Sequence, residues 1–140
     1  MRKRSSGSRS SSVRRALKHP VGTAVSAVFV LRAALRVLWH EPRTDLPELV
    51  ARLRNAPPSH VDFDVTLADG VVERLLPLLP PWGAGRCVKR SLLQLDLWSR
   101  AGRRPRLHLG LLKAELGREG HVWVSTDGAI PEGITETWSA

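Results

Sequence analysis

The stretch GRCVKRSLLQLDLWSRAG, residues 85–102, holds the only cysteine of the chain, Cys87, where a glycine-containing loop gives way to a helical pattern. Apolar residues recur at helical spacing after Cys87, which predicts a helix over residues 87–101. Gly102 follows the last periodic residue, and we expect it to be the left-handed residue that ends the helix. Cys87 would then lie in the first turn, where its thiol could be either a nucleophile or an apolar filler.

Two segments after this helix alternate between apolar and polar residues, RLHLGLL at 106–112 and HVWVST at 121–126. A period of two is typical of β-strands that bury one face. His121 begins the second of these strands. The predicted class is therefore α+β, with a cysteine-bearing helix packed on an antiparallel sheet.

Asp127-Gly128 directly follows the second strand and is typical of a two-residue hairpin turn. We therefore predict a return strand from Ala129, which Pro131 confines to an edge or to irregular pairing. In this register His121 faces Ile134.

Cys87 and His121 together suggest nucleophilic catalysis. The thiolate is the reactive form of cysteine, and both a helix N-terminus and a neighbouring imidazolium favour it. Backbone N–H groups of the first turn could hold an oxyanion, and Gly85 would let a substrate backbone come close. The alternative is structural, because a lone cysteine or histidine more often packs than reacts. His108 remains a second candidate base.

The formal charge of +9 in these 140 residues is located at one end. Residues 1–19 hold seven Lys or Arg and no acid, which leaves 15 basic and 13 acidic residues in the rest of the chain. A Ser/Arg-rich segment of this kind is predicted to be a disordered basic tail. Only this tail supports nucleic-acid binding, which we keep as a third hypothesis.

The first half of the remaining chain, residues 20–80, is predicted to be helical, and residues 81–140 to form the core that carries Cys87. The apolar run Val21–Leu31 is 11 residues long, too short to span a bilayer, and no small-residue cleavage site follows it. We therefore expect a cytoplasmic protein whose residues 21–39 form an amphipathic helix, packed on the domain with possible peripheral membrane contact.

Two shorter helices are expected after this one. Residues 46–54 carry an apolar stripe, with Thr44 or Asp45 as cap and Asn55 as stop, and a second helix is expected around residues 67–76. With a single cysteine, no zinc-type spacing and no phosphate-binding loop, the sequence predicts neither a disulfide, a metal nor a cofactor.

Residues 86–128, about 43 in all, resemble the transglutaminase-like leader peptidases of lasso peptide biosynthesis. That family has a Cys-x-x-Arg-Ser-Leu helix start, a linker containing Gly and Pro, and a His-Ala-Trp-Val strand. The matching residues are Cys87, Arg90, Ser91, Leu92, Gly102, Pro105, Leu107, Gly110, His121, Trp123 and Val124.

This resemblance implies a papain-like or transglutaminase-like cysteine protease that removes the leader of a ribosomally made precursor peptide. It implies Cys87 as nucleophile and His121 as base. It also implies two partners besides the precursor: a small leader-binding protein and an ATP-dependent lasso cyclase.

The third catalytic residue departs from the family, which places an Asp about 12 positions after the His, where this chain has Gly133. From the hairpin register we choose Glu132 as the orienting acid and keep Glu136 in reserve, as diagonal neighbours of His121. Asp127 is interpreted as a turn residue. The missing Asp supports the second hypothesis, a degenerate module that binds precursor or cyclase without catalysis.

Overall fold

A computed structural model describes four parts of the chain: residues 20–81, 85–114, 117–128 and 134–139. The predicted disordered tail, residues 1–19, lies outside the described residues. Within these parts, four helices precede a three-stranded antiparallel sheet, so the α+β prediction is confirmed.

The helices are α1 (Pro20–His40), α2 (Leu46–Arg54), α3 (Val65–Leu75) and α4 (Arg86–Arg100), with a 3₁₀ turn at Leu76–Leu78. Helix α2 has Asp45, one of the two predicted residues, at its N-cap position, but the Asp45 side chain makes no capping hydrogen bond; Asn55 ends the helix as predicted. Helix α3 begins two residues earlier than expected. The cause is Asp64, whose carboxylate accepts the backbone N–H groups of Thr66 at 2.8 Å and Leu67 at 3.2 Å.

Helix α4 begins and ends within one residue of its predicted bounds. Gly102 has a φ of +77°, and the N–H groups of Gly102 and Arg103 bond to the carbonyls of Ser99 and Trp98. These two bonds form a Schellman motif, which satisfies the last carbonyls of the helix. The predicted role of Gly102 is therefore confirmed.

The strands are β1 (Arg106–Ala114), β2 (Gly117–Ser125) and β3 (Ile134–Ser139), in the spatial order β2-β1-β3. The predicted hairpin between β2 and β3 is wrong, because β3 pairs with the other side of β1. His121 lies opposite Gly110, and Ile134 lies opposite Leu112.

The outer edge of β2 explains why β3 pairs with β1 and not with β2. Helix α4 covers that edge, where the Ser91 hydroxyl donates to the carbonyl oxygen of Val122 at 3.1 Å. The returning chain pairs instead with the open side of β1. Asp127-Gly128 still turns the chain, because Gly128 has a φ of +78° and donates its N–H to Ser125 Oγ.

One hydrophobic core joins the helices to the sheet. Helix α1 packs on α3 and α4 as predicted, through Val30, Ala33 and Val37. The sheet adds Leu107, with Val122 and Val124 at the margin of the core. Among the described residues, α1 is also the one helix whose length and composition would suit a membrane span.

A buried charge cluster fastens α1 to α4. Asp96 of α4 is fully buried, and its carboxylate accepts hydrogen bonds from Arg36 of α1 and, at 3.0 Å, from Arg100 one turn further along α4. A buried carboxylate needs such partners, because an unpaired charge in the interior is strongly disfavoured.

Candidate active site

Cys87 is the second residue of α4, with Gly85 at the N-cap position and a thiol that is free and partly buried. The first intrahelical bond runs from the Lys89 N–H to the Gly85 carbonyl at 3.0 Å. The N–H groups of residues 86–88 therefore have no intrahelical acceptor. Cys87 thus lies at the positive end of a 15-residue helix, beside donors that could stabilise an oxyanion.

The Ser91–Val122 hydrogen bond connects the helix that carries Cys87 to the strand that carries His121. Ser91 lies one turn after Cys87 on the same side of α4, and Val122 is the residue after His121. The structure therefore brings the two predicted elements into contact, and no hydrogen bond joins the two side chains in the described part of the chain. Ser91 matched the family motif, but its positioning contact was not predicted from the sequence.

Trp123 stacks between two histidine rings on one face of the sheet. Its ring centroid lies 6.0 Å from that of His121 and 5.3 Å from that of His108, with interplanar angles of 20° and 16°. His108 lies directly opposite Trp123 in the β1–β2 ladder, and His121 precedes Trp123 by two residues on the same face. The indole thereby fixes the position of the His121 ring from one side.

His108, the second candidate base, has a structural environment. It is 8% exposed, and its Nε2 shares a hydrogen bond of 2.9 Å with Ser125 Oγ, which also accepts the Gly128 N–H at 3.0 Å. Burial, together with the nearby charge of Arg106, lowers the pKa of His108. A neutral imidazole in this bond secures the end of β2, so His121 is the better candidate for the base.

The approach to Cys87 is shaped by a proline-rich segment. Lys89 is 3% exposed and donates through Nζ to the Pro80 carbonyl at 2.5 Å, which ties residues 76–81 to the start of α4. A cavity of about 450 Å³ lies between them, and it is lined by that segment together with Gly85, Arg86 and Lys89. Residues on both sides of Cys87 in the sequence therefore border this cavity.

The structure places only one of the two predicted orienting acids. Glu132 and Gly133 lie outside the described residues. Glu136 lies opposite Leu111 on β3, so β1 separates it from the strand of His121. Its predicted position as a diagonal neighbour is therefore wrong, since that relation assumed a β2–β3 ladder. Asp127 is exposed in the turn after β2, as interpreted from the sequence.

Within the described residues, no group of three or more His, Cys, Asp or Glu side chains is arranged to hold a metal ion. In a comparison with protein families, residues 27–139 match the model described as the transglutaminase-like superfamily. No curated protein and no solved structure gives a significant match.

Proposed function

The chain belongs to the transglutaminase-like superfamily, and from this premise we propose that it is a cysteine peptidase that removes the leader from a lasso precursor peptide. One observation carries the proposal: helix α4, which carries Cys87 in its first turn, is hydrogen-bonded to the strand of His121 at the residue next to that histidine. The choice of leader removal as the reaction rests on the motif between Cys87 and Val124, which resembles the lasso leader peptidases. The proposed activity belongs to the cytoplasm, where precursor peptides are made.

The proposed reaction is acyl transfer through a thioester. The Cys87 thiolate attacks the carbonyl carbon of the last leader residue, while N–H groups of the first turn of α4 stabilise the oxyanion. His121 donates a proton to the departing amine, and the core peptide leaves. Water, deprotonated by His121, then hydrolyses the thioester and frees the leader acid.

Two further parts of the proposal concern binding and orientation. The cavity beside Arg86 would receive residues of the leader, delivered by a small leader-binding protein, and the freed peptide would pass to an ATP-dependent cyclase. Glu132 remains the proposed residue that orients His121, because it is next to position 133, where the family has its Asp. The proposed reaction needs no cofactor, since the nucleophile, the base and the oxyanion donors are all groups of the chain.

Because Cys87 is the only cysteine, its alkylation by iodoacetamide tests the dyad without any knowledge of the precursor. An ordinary thiol is about 1% ionised at pH 6.5. If the His121 imidazolium is the partner of the Cys87 thiolate, the wild-type protein should react at least about tenfold faster at pH 6.5 than the His121→Ala variant. This figure allows for the lower nucleophilicity of a stabilised thiolate. His60→Ala, at an exposed histidine, is the matched control and should react like the wild type.

Leader cleavage itself is measured by mass spectrometry, with a lasso precursor and a leader-binding protein added. Cys87→Ala and His121→Ala should each abolish cleavage while leaving the circular dichroism spectrum unchanged. Binding of the precursor without cleavage by the wild-type protein, together with equal alkylation of the wild-type and His121→Ala proteins, would instead establish the non-catalytic binding module.

A further inference from the structure

Helix α1 leaves a continuous apolar face in solvent. Its outer face, as we call it below, consists of Val21, Ala24, Val28, Leu31, Leu35 and Trp39. Leu35 is 69% exposed and Trp39 is 63% exposed. The intervals of three and four residues place all six side chains on one side of the helix. Val61 is also exposed and borders the same surface through a shallow groove beside Val28.

The opposite side of α1 holds the helix on the domain. Val30 and Ala33 are fully buried against α3 and α4, and Arg36 is paired with the buried Asp96. A transmembrane orientation would pull these groups out of the core. The helix is therefore suited to lie along a surface, with its axis parallel to that surface.

The charges of α1 and of the segment before it have one sign. Residues 1–40 contain nine Lys or Arg and no acidic residue, whereas residues 41–140 contain 13 of each kind. Seven of the nine immediately precede α1, and Arg32 is exposed beside the outer face. At the other end of the helix, the Arg43 guanidinium lies 4.2 Å from the Trp39 ring centroid. An indole with an adjacent cation is well suited to a membrane–water interface.

From these observations we propose that the outer face of α1 docks the protein on anionic lipid bilayers, and that the seven cations of residues 1–19 add to the attraction. Apolar side chains alone would also fit a second copy of the chain. Two copies would, however, bring two sets of these cations together, and only an anionic surface compensates them. The proposal is independent of the peptidase chemistry, because Cys87 and His121 take no part in it.

The test is flotation of the full chain with vesicles of phosphatidylcholine alone or with 30% phosphatidylglycerol. We expect binding only to the anionic vesicles, reversal at 0.5 M NaCl, and release at alkaline pH as for a peripheral protein. Leu31→Glu/Leu35→Glu should lower the partition coefficient at least about tenfold, because it removes apolar contact and adds repulsion. Deletion of residues 1–19 should lower it more than about a hundredfold, since each cation near such a surface contributes about fivefold.

Leu78→Glu is the matched control, because Leu78 is 79% exposed and belongs to the 3₁₀ turn rather than to α1. Circular dichroism and thermal unfolding show whether each variant is folded, and the milder Leu35→Gln should give an intermediate loss. Equal binding of wild-type and Leu31→Glu/Leu35→Glu proteins would overturn the proposal, as would resistance to alkaline extraction. The proposal would also be overturned if the wild-type protein did not bind vesicles and instead sedimented as a dimer, while the double variant sedimented as a monomer.

Discussion

Replacing Ser91 with alanine removes the hydrogen bond that holds α4 on the outer edge of β2. Ser91 is fully buried, and its hydroxyl donates to the Val122 carbonyl at 3.1 Å. A typical buried hydrogen bond contributes about 1 kcal/mol net, and a carbonyl left without a partner costs about 1–3 kcal/mol more when water cannot reach it. Val122 is only partly buried, so we expect a loss of about 1–2.5 kcal/mol in the free energy of unfolding. For a chain of this length, that corresponds to a fall of about 3–9 °C in Tm.

Ser99 supplies the matched control on the same helix. It is 3% exposed, and its Oγ has no hydrogen-bond partner within the described part of the chain. Ser99→Ala removes an unsatisfied buried hydroxyl, so the free energy of unfolding should stay the same or rise. Urea unfolding followed by tryptophan fluorescence measures both variants.

The two serine variants should also differ in the chemistry of the site. Ser91→Ala loosens the start of α4 from the strand of His121, so Cys87 should be alkylated more slowly at pH 6.5, whereas Ser99→Ala should leave that rate unchanged. Equal losses of stability in the two variants would refute the assigned role of the Ser91–Val122 bond. So would an increase in stability on replacing Ser91.

Two further predictions concern pH. Burial raises the pKa of Asp69, whose carboxylate accepts the Trp98 Nε1–H at 3.2 Å, so the folded state favours the protonated form of Asp69. The Asp69→Asn variant keeps the acceptor and carries no charge, so it should be more stable than wild type in urea unfolding at pH 7. This difference in stability should shrink as the pH falls towards 4. Burial lowers the pKa of His108, so protonation of His108 favours the unfolded protein. The wild-type protein should therefore lose stability between pH 7 and pH 5. The His108→Gln variant should lose less stability over the same interval in parallel urea titrations.

The local elements could be predicted from sequence because their signals are local. Asn55 ends α2 and Gly102 ends α4, since the N–H group of each bonds to a carbonyl of the last turn. The placement of Cys87 in a first turn follows from the same kind of signal.

The strand order could not be predicted, because it depends on what covers each edge of the sheet. Asp127-Gly128 predicted a hairpin and does form a turn, but the edge of β2 beyond it is occupied by α4. The choice of Glu132 and Glu136 depended on that hairpin and loses its geometric basis with it. Arg36 and Asp96 each place a charge on the apolar side of a helix, which the sequence shows. Their pairing could not be predicted, because the two residues are 60 positions apart.

The three-membered cluster of Arg36, Asp96 and Arg100 restricts how this fold can be rebuilt. Losing a single member of a buried pair costs about 3–5 kcal/mol, whereas replacing all members together by apolar residues of similar size is often tolerated. A helix transplanted into the place of α1 would therefore need an arginine at the position of Arg36, or a simultaneous change at Asp96. In a chimera or a redesigned sequence, α1 and α4 would have to be exchanged as one module.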